Sequence, residues 1–266
     1  MSSRNSKANK AAARERLRAQ REKEAKRAKT RRQLLVGGGV VALLAVAAGV
    51  AVAVNEMNKD GYWEAAAKKP LVKPANAEGT DGTTVIIGDK SNKNTVSEYE
   101  DMRCPVCAGY EQTSGAAVLA GAKAGKYNIS FTFGTFLDDV NGGAGSKKAL
   151  SALAAALNVS TDAFEQYHTL LYSKDVHPDE RKDEFNSADR LIELAQKVPA
   201  LKGNAKFSDA VTKGTFDKWA LVMTSKFNNA KGVEGTPTVF VNDKKITVNG
   251  VDSATVMAAI EANLKK

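Results

Sequence analysis

The chain has 266 residues, 43% of them apolar and 26% charged, with a formal net charge of +9. That charge sits at one end: the first 32 residues hold 13 of the 39 Lys/Arg and three of the 30 Asp/Glu, which leaves the other 234 close to neutral. A nucleic-acid-binding domain carries its positive charge on the fold itself, so no nucleic-acid partner is expected.

In chain order, residues 1–33 read as a basic cytoplasmic tail suited to anionic lipid headgroups. Residues 34–54, Leu34 to Val54, carry no charged or strongly polar side chain. That length matches the roughly 20 residues of a membrane-spanning helix. Arg31 and Arg32 border it on one side and a near-neutral segment on the other, which places the N-terminus in the cytoplasm and the rest outside. A cleaved secretory signal ending near Ala51-Val52-Ala53 is the competing reading, and it delivers the chain to the same compartment. No cysteine lies near the apolar run to carry a lipid anchor.

Residues 55–82 read as a linker, with Gly61, Pro70, Pro74 and Gly79 and no sustained apolar period. Tyr62 and Trp63 suit either the headgroup layer or the surface of the following domain. Residues 83–266 are long enough for one domain with its own core. Strands are predicted over residues 83–87 and 95–100, then a helix from Val106 to Lys123 with Pro105 in its first turn. A strand over residues 127–136 alternates, with Ile129, Phe131 and Phe133 on one face. Helical spacing follows at residues 149–157, 162–172, 188–198 and 215–227. Strands return at residues 238–241 and 246–248 around an Asn242-Asp243 turn, and a last helix carries Val256, Ile260 and Leu264 on one stripe. This order is a mixed α/β sheet with a helical insertion.

Cys104 and Cys107 are the only two cysteines, spaced Cys-Pro-Val-Cys where a strand gives way to a helix. That spacing brings the sulfurs within disulfide range and sets the first one against the free N–H groups of the helix start, which stabilise a thiolate. Cys104 is therefore the candidate nucleophile and Cys107, one turn further in, the resolving thiol. A zinc site built from the two cysteines with His168 and His177 is not expected, since the histidines stand nine apart. His168 reads as a helix face packed near the core. Gly142 to Lys148 lacks the spacing of a phosphate loop.

The strand–Cys-Pro-Val-Cys–helix arrangement, together with Gly235-Thr236-Pro237-Thr238 before a late strand, resembles the DsbA-like thioredoxin-fold oxidoreductases. The run from Tyr99 to Cys107 is similar to their membrane-anchored, extracytoplasmic bacterial members. The resemblance implies an α/β thioredoxin-like domain with a helical insertion at about residues 142–230. It also implies a cis Pro237 facing the cysteines, with the Thr236 backbone pairing with substrate as an added strand. Glu98, six residues before Cys104, takes the place of the buried acid that receives the proton of Cys107. No cofactor or metal is implied, and the partners are exported proteins with cysteines and a membrane protein that resets the couple. The chain departs from the family's best-known pattern at Val106, where DsbA has a histidine; a less depressed Cys104 pKa and a less oxidising couple are expected. The alternative function is a non-catalytic binding module whose Cys104–Cys107 bond is structural.

Overall fold

The computed structural model describes residues 61–266, together with Lys23. Lys23 apart, the basic tail of residues 1–33, the apolar span of residues 34–54 and the start of the linker lie outside the described residues. Among the described residues no helix is long and apolar enough to cross a membrane.

Residues 62–266 form one compact unit around a five-stranded sheet. Its strands are β1 (Val85–Ile87), β2 (Thr95–Asp101), β3 (Asn128–Gly134), β4 (Thr238–Val241) and β5 (Lys244–Ile246), in the order β1-β3-β2-β4-β5. β2 and β3 are parallel; all other pairs are antiparallel. A parallel pair needs a crossover. Here the crossover is α2 (Pro105–Tyr110), a π-helical turn (Glu111–Gly115) and α3 (Ala116–Lys123). The helix predicted from Val106 to Lys123 is thus present but interrupted.

The regular elements of the insertion between β3 and β4 are all helical: α4 (Phe136–Asn141), α5 (Gly145–Val159), α6 (Thr161–Tyr172), a 3-10 turn (Glu184–Asn186), α7 (Ala188–Ala195), α8 (Ala205–Lys213) and α9 (Asp217–Asn228). α5 is buried along nearly its whole length, so its Ala-rich sequence serves close packing against its neighbours rather than a solvent face. The alternation in β2 turns Val96, Glu98 and Glu100 to one face and Tyr99 to the other. The Tyr99 face is met by Phe227 of α9, at 6.2 Å between ring centroids. On the opposite face Phe131 and Phe133 of β3 pack against Phe164 and His168 of α6. α10 (Ser253–Glu261) closes the chain, capped by Asp252.

Three expectations are corrected. The linker does not extend to residue 82: Tyr62–Lys68 is a helix, α1, belonging to the compact unit, with Ala66 buried and the Tyr62 hydroxyl donating to Asp217 Oδ2 at 2.5 Å. Its Ala run favours helix, and contacts more than 150 residues away, invisible to local periodicity, hold it down. The third strand stops at Gly134 because Phe136 opens α4. The last hairpin turns directly at Asn242, which adopts a positive φ of 54°, so its second strand begins at Lys244 and not at Ile246.

Gly121 in α3 marks a close approach. A Cβ there would lie 2.1 Å from the Tyr127 hydroxyl, which itself donates to the Val118 carbonyl at 2.7 Å. Gly121→Ala gains about 1 kcal/mol of helix propensity but overpacks a buried tyrosine, at about 1–3 kcal/mol. The expected net result is a lower urea midpoint; an unchanged or raised midpoint would show that Tyr127 can move aside.

Candidate active site

The cysteines are presented by a rigid turn. The Asp101 carboxylate, at the end of β2, accepts the Arg103 N–H at 3.0 Å, the Leu137 N–H at 3.1 Å and the Ser146 hydroxyl at 2.6 Å. The Asp101 carbonyl accepts the Cys104 N–H at 2.9 Å. Arg103 is fully buried. It donates to Asp138 at 3.0 Å and to the carbonyls of Gly142 at 2.8 Å and Glu180 at 2.7 Å, with Asp183 at 3.4 Å. Two loops of the insertion are thereby tied to the residue preceding the first cysteine. Neither Arg103 nor Asp101 stands out in the sequence, because the partners that tie them to the insertion lie 35 to 80 residues away.

Cys104 is the N-cap of α2, and its sulfur accepts the Cys107 N–H at 3.4 Å. Pro105 takes the first helical position, where no N–H is needed. Both cysteines are free. Cys104 keeps 5% of its surface exposed and Cys107 none, so only the first sulfur can meet a macromolecular disulfide. The Cys107 side chain holds the Cys104 thiol down to about 6, helped by the backbone N–H groups of Cys107 and Val106 and opposed by burial. Burial first, then Cys104 and the charge of Glu100, pushes the Cys107 thiol well above its ordinary value. Val106 points into solvent at 48% exposure, so its side chain adds nothing to the thiolate.

Across the site, the Thr236–Pro237 peptide is cis and the Thr236 carbonyl lies 3.6 Å from the Cys104 sulfur. Residues 132 apart in sequence thus share one face. An open groove of about 520 Å³ runs from this point, lined by Thr236, Pro237, Lys245 and Val248 among others.

Beneath α2 the sheet carries buried acids. Glu98 is 2% exposed, accepts the Tyr110 hydroxyl at 2.7 Å, and is pushed up to about 7, chiefly by burial. Glu100, one pleat nearer the cysteines, is fully buried and lies 2.8 Å from His168 Nε2. Glu100 does not stand out in the sequence; the alternation of β2 places it on the face of Glu98 and is the signal that could have found it. His168 does pack in the core as expected, but its partner could not be read locally.

This is an asymmetric thiol pair: an accessible sulfur biased to thiolate beside a shielded one held as thiol, which suits disulfide exchange. Alkylation of Cys104 by iodoacetamide is expected to rise with pH around a midpoint of about 6; a midpoint above about 8 would show that the helix start does not stabilise the anion. Because the folded value lies below the unfolded value of 9.0, the thiolate stabilises the reduced fold above pH 9, and that contribution is lost as pH falls through about 6.

The comparisons with known proteins agree with this geometry. The thioredoxin family matches residues 80–262, more than half of the chain. Disulfide bond formation protein D of Bacillus subtilis is 26% identical over 180 residues, covering 68% of this chain and 77% of its own. Among solved structures, reduced DsbG of Mycobacterium tuberculosis is 27% identical with a TM-score of 0.56, covering 68% of this chain and 86% of its own. Oxidised DsbA of the same organism is 26% identical with a TM-score of 0.57, covering 69% and 93%. A cysteine pair at a helix start, a cis proline facing it and these relatives converge on one conclusion: the chain belongs to the thioredoxin family, as a DsbA-like thiol–disulfide oxidoreductase.

Proposed function

We propose that the protein is a membrane-anchored oxidoreductase that exchanges disulfides with exported proteins through its Cys-Pro-Val-Cys pair. The observation that carries this reading is the Cys104 sulfur itself, at a helix start, 3.4 Å from the Cys107 N–H and 3.6 Å from the Thr236 carbonyl. In the oxidising direction a substrate thiolate attacks Cys104 of the Cys104–Cys107 disulfide, and Cys107 leaves. A second substrate thiolate then attacks the mixed disulfide at the substrate sulfur, releasing the oxidised substrate and the Cys104 thiolate. In the reducing direction the Cys104 thiolate attacks and Cys107 resolves. The Thr236 backbone and Pro237 hold the substrate strand along the groove. Glu98, buried on β2 beneath α2, exchanges the proton of Cys107; Glu100 beside it is held by His168. Residues 34–54 anchor the chain with residues 61–266 outside the cell, where a membrane redox partner resets the pair.

Equilibration in defined thiol buffers tests the chemistry. A potential of about −120 to −200 mV is expected for an oxidase or isomerase, whereas one below about −300 mV would leave a structural disulfide and sink the proposal. Labelling of reduced Cys104 in intact cells by a membrane-impermeant maleimide tests the topology; labelling only after lysis would overturn it.

A further inference from the structure

Away from the Cys104 sulfur, three elements converge beneath α2. β2 contributes Glu100, the π-helical turn contributes Glu111, and α6 contributes His168. π-Helical turns are rare and concentrate at functional sites. Gly115 in this one leaves room for the Glu111 carboxylate, since a Cβ there would lie 2.3 Å from Glu111 Oε2. One ligand atom from each of Glu100, Glu111 and His168 lies within 4.8 Å of the other two. A tetrahedral zinc ion with ligands at about 2.0–2.1 Å sets them about 3.3 Å apart, so the Glu100 Oε2–His168 Nε2 pair, a 2.8 Å hydrogen bond here, opens by about half an ångström as the imidazole gives up that bond to the ion.

Two further observations point to a ligand. Glu100 is completely buried, and its second oxygen, Oε1, has no hydrogen-bond partner. A small enclosed space of about 20 Å³ adjoins the cluster, lined by Glu98, Glu111, Glu165 and His168, which is room for one water-sized species. Among the described residues, no Lys or Arg pairs with Glu98, Glu100 or Glu111, and the Lys123–Glu165 pair stands at the surface end of the cavity. A fully buried carboxylate without a cation is costly, and a dication held by Glu100 and the half-buried Glu111 is electrically balanced.

We infer that Glu100, Glu111 and His168 form a binding site for a divalent first-row transition ion, best matched by Zn²⁺, with a fourth position open to water in the adjoining cavity. The imidazole nitrogen beside the two carboxylate oxygens suits zinc over calcium or magnesium, which take oxygen ligands. The ion ties the insertion helix α6 to the sheet strand that leads into the cysteines. The sequence offered no such site because its four potential soft ligands, two Cys and two His, are not the set that converges.

The test uses the full chain without a histidine tag, in its oxidised form so that neither sulfur is a free ligand. After chelation, dialysis against Zn²⁺ and elemental analysis are expected to show one ion per chain. Glu111→Gln and His168→Gln are each expected to weaken binding by more than about 100-fold, beyond the 10–100-fold typical of an outer-shell partner. Should the variants fail to fold, Co²⁺ substitution of the oxidised wild-type chain is expected to give the visible bands of a four-coordinate ion without a sulfur charge-transfer band. Three results would each overturn the site: no ion retained by the oxidised chain, which would mean that shared protons neutralise the acids; binding seen only in the reduced chain and lost on alkylation, which would place the ion on Cys104 and Cys107; or unchanged affinity in folded variants. None of these bears on the disulfide exchange proposed above.

Discussion

Cys104→Ser is expected to bring disulfide exchange down to the uncatalysed background, a loss of at least about 10³-fold. A serine hydroxyl stays protonated at neutral pH and cannot form the mixed disulfide, while Cys107 is fully buried and cannot replace it. Cys107→Ser is expected to behave differently. It keeps the more accessible sulfur but removes the proposed resolving thiol, so it should accumulate covalent adducts with substrate that dithiothreitol releases. A non-reducing gel after exposure to a disulfide-bonded protein distinguishes the two variants. Adducts forming equally on Cys104→Ser would assign the nucleophile to Cys107 and overturn this division of roles between the two sulfurs. The Cys107 side chain, as a hydrogen-bond donor, is also the largest influence holding the Cys104 thiol low, so Cys107→Ala, which removes the donor that a serine keeps, is expected to raise the alkylation midpoint of Cys104.

Arg103→Met is expected to cost about 3–5 kcal/mol of stability, the penalty for breaking a buried ion pair from one side. Arg103 and Asp138 are both essentially without solvent contact. Asp138 retains the N–H groups of Ser146 at 2.8 Å and Lys147 at 3.0 Å, and the Lys147 ammonium at 3.4 Å. Those contacts favour the lower end of the range. The Gly142 and Glu180 carbonyls, by contrast, lose their shared donor, which loosens both insertion loops and the turn ahead of Cys104. Urea unfolding of the oxidised and reduced chains measures the loss. A change under about 1 kcal/mol would mean that the insertion holds the turn by packing alone.

Some of this protein was legible locally and some was not, and particular residues show where the division falls. The Cys-Pro-Val-Cys spacing, the helix start it implies and the alternation of Ile129, Phe131 and Phe133 are short-range patterns. Such patterns follow from the periods of strand and helix and from the missing N–H of Pro105. The π-helical turn at Glu111–Gly115 left no trace in the spacing, because the periodicity of one extra residue is lost within a single turn. The helix Ala205–Lys213 escapes a reading by spacing for a similar reason: its interior has only two buried anchors, Phe207 and Val211, spaced four apart. The stretch around Tyr62 resembles linker because its stability comes from Asp217 and Lys148, far along the chain.

By itself the sequence determined the place of the cysteine pair at a strand-to-helix junction, the mixed α/β class and the helical character of the insertion. Each rests on nearest-neighbour backbone geometry and on residue chemistry at fixed short offsets. Only the tertiary structure decided what surrounds that pair: the Thr236 carbonyl 3.6 Å from Cys104, Arg103 sealed among four acceptors from the insertion, and Glu100 beside His168 on the face away from Tyr99. The physical reason is that burial and charge partnership are set by packing between distant segments, and no local period records which distant side chain a buried carboxylate or guanidinium will meet.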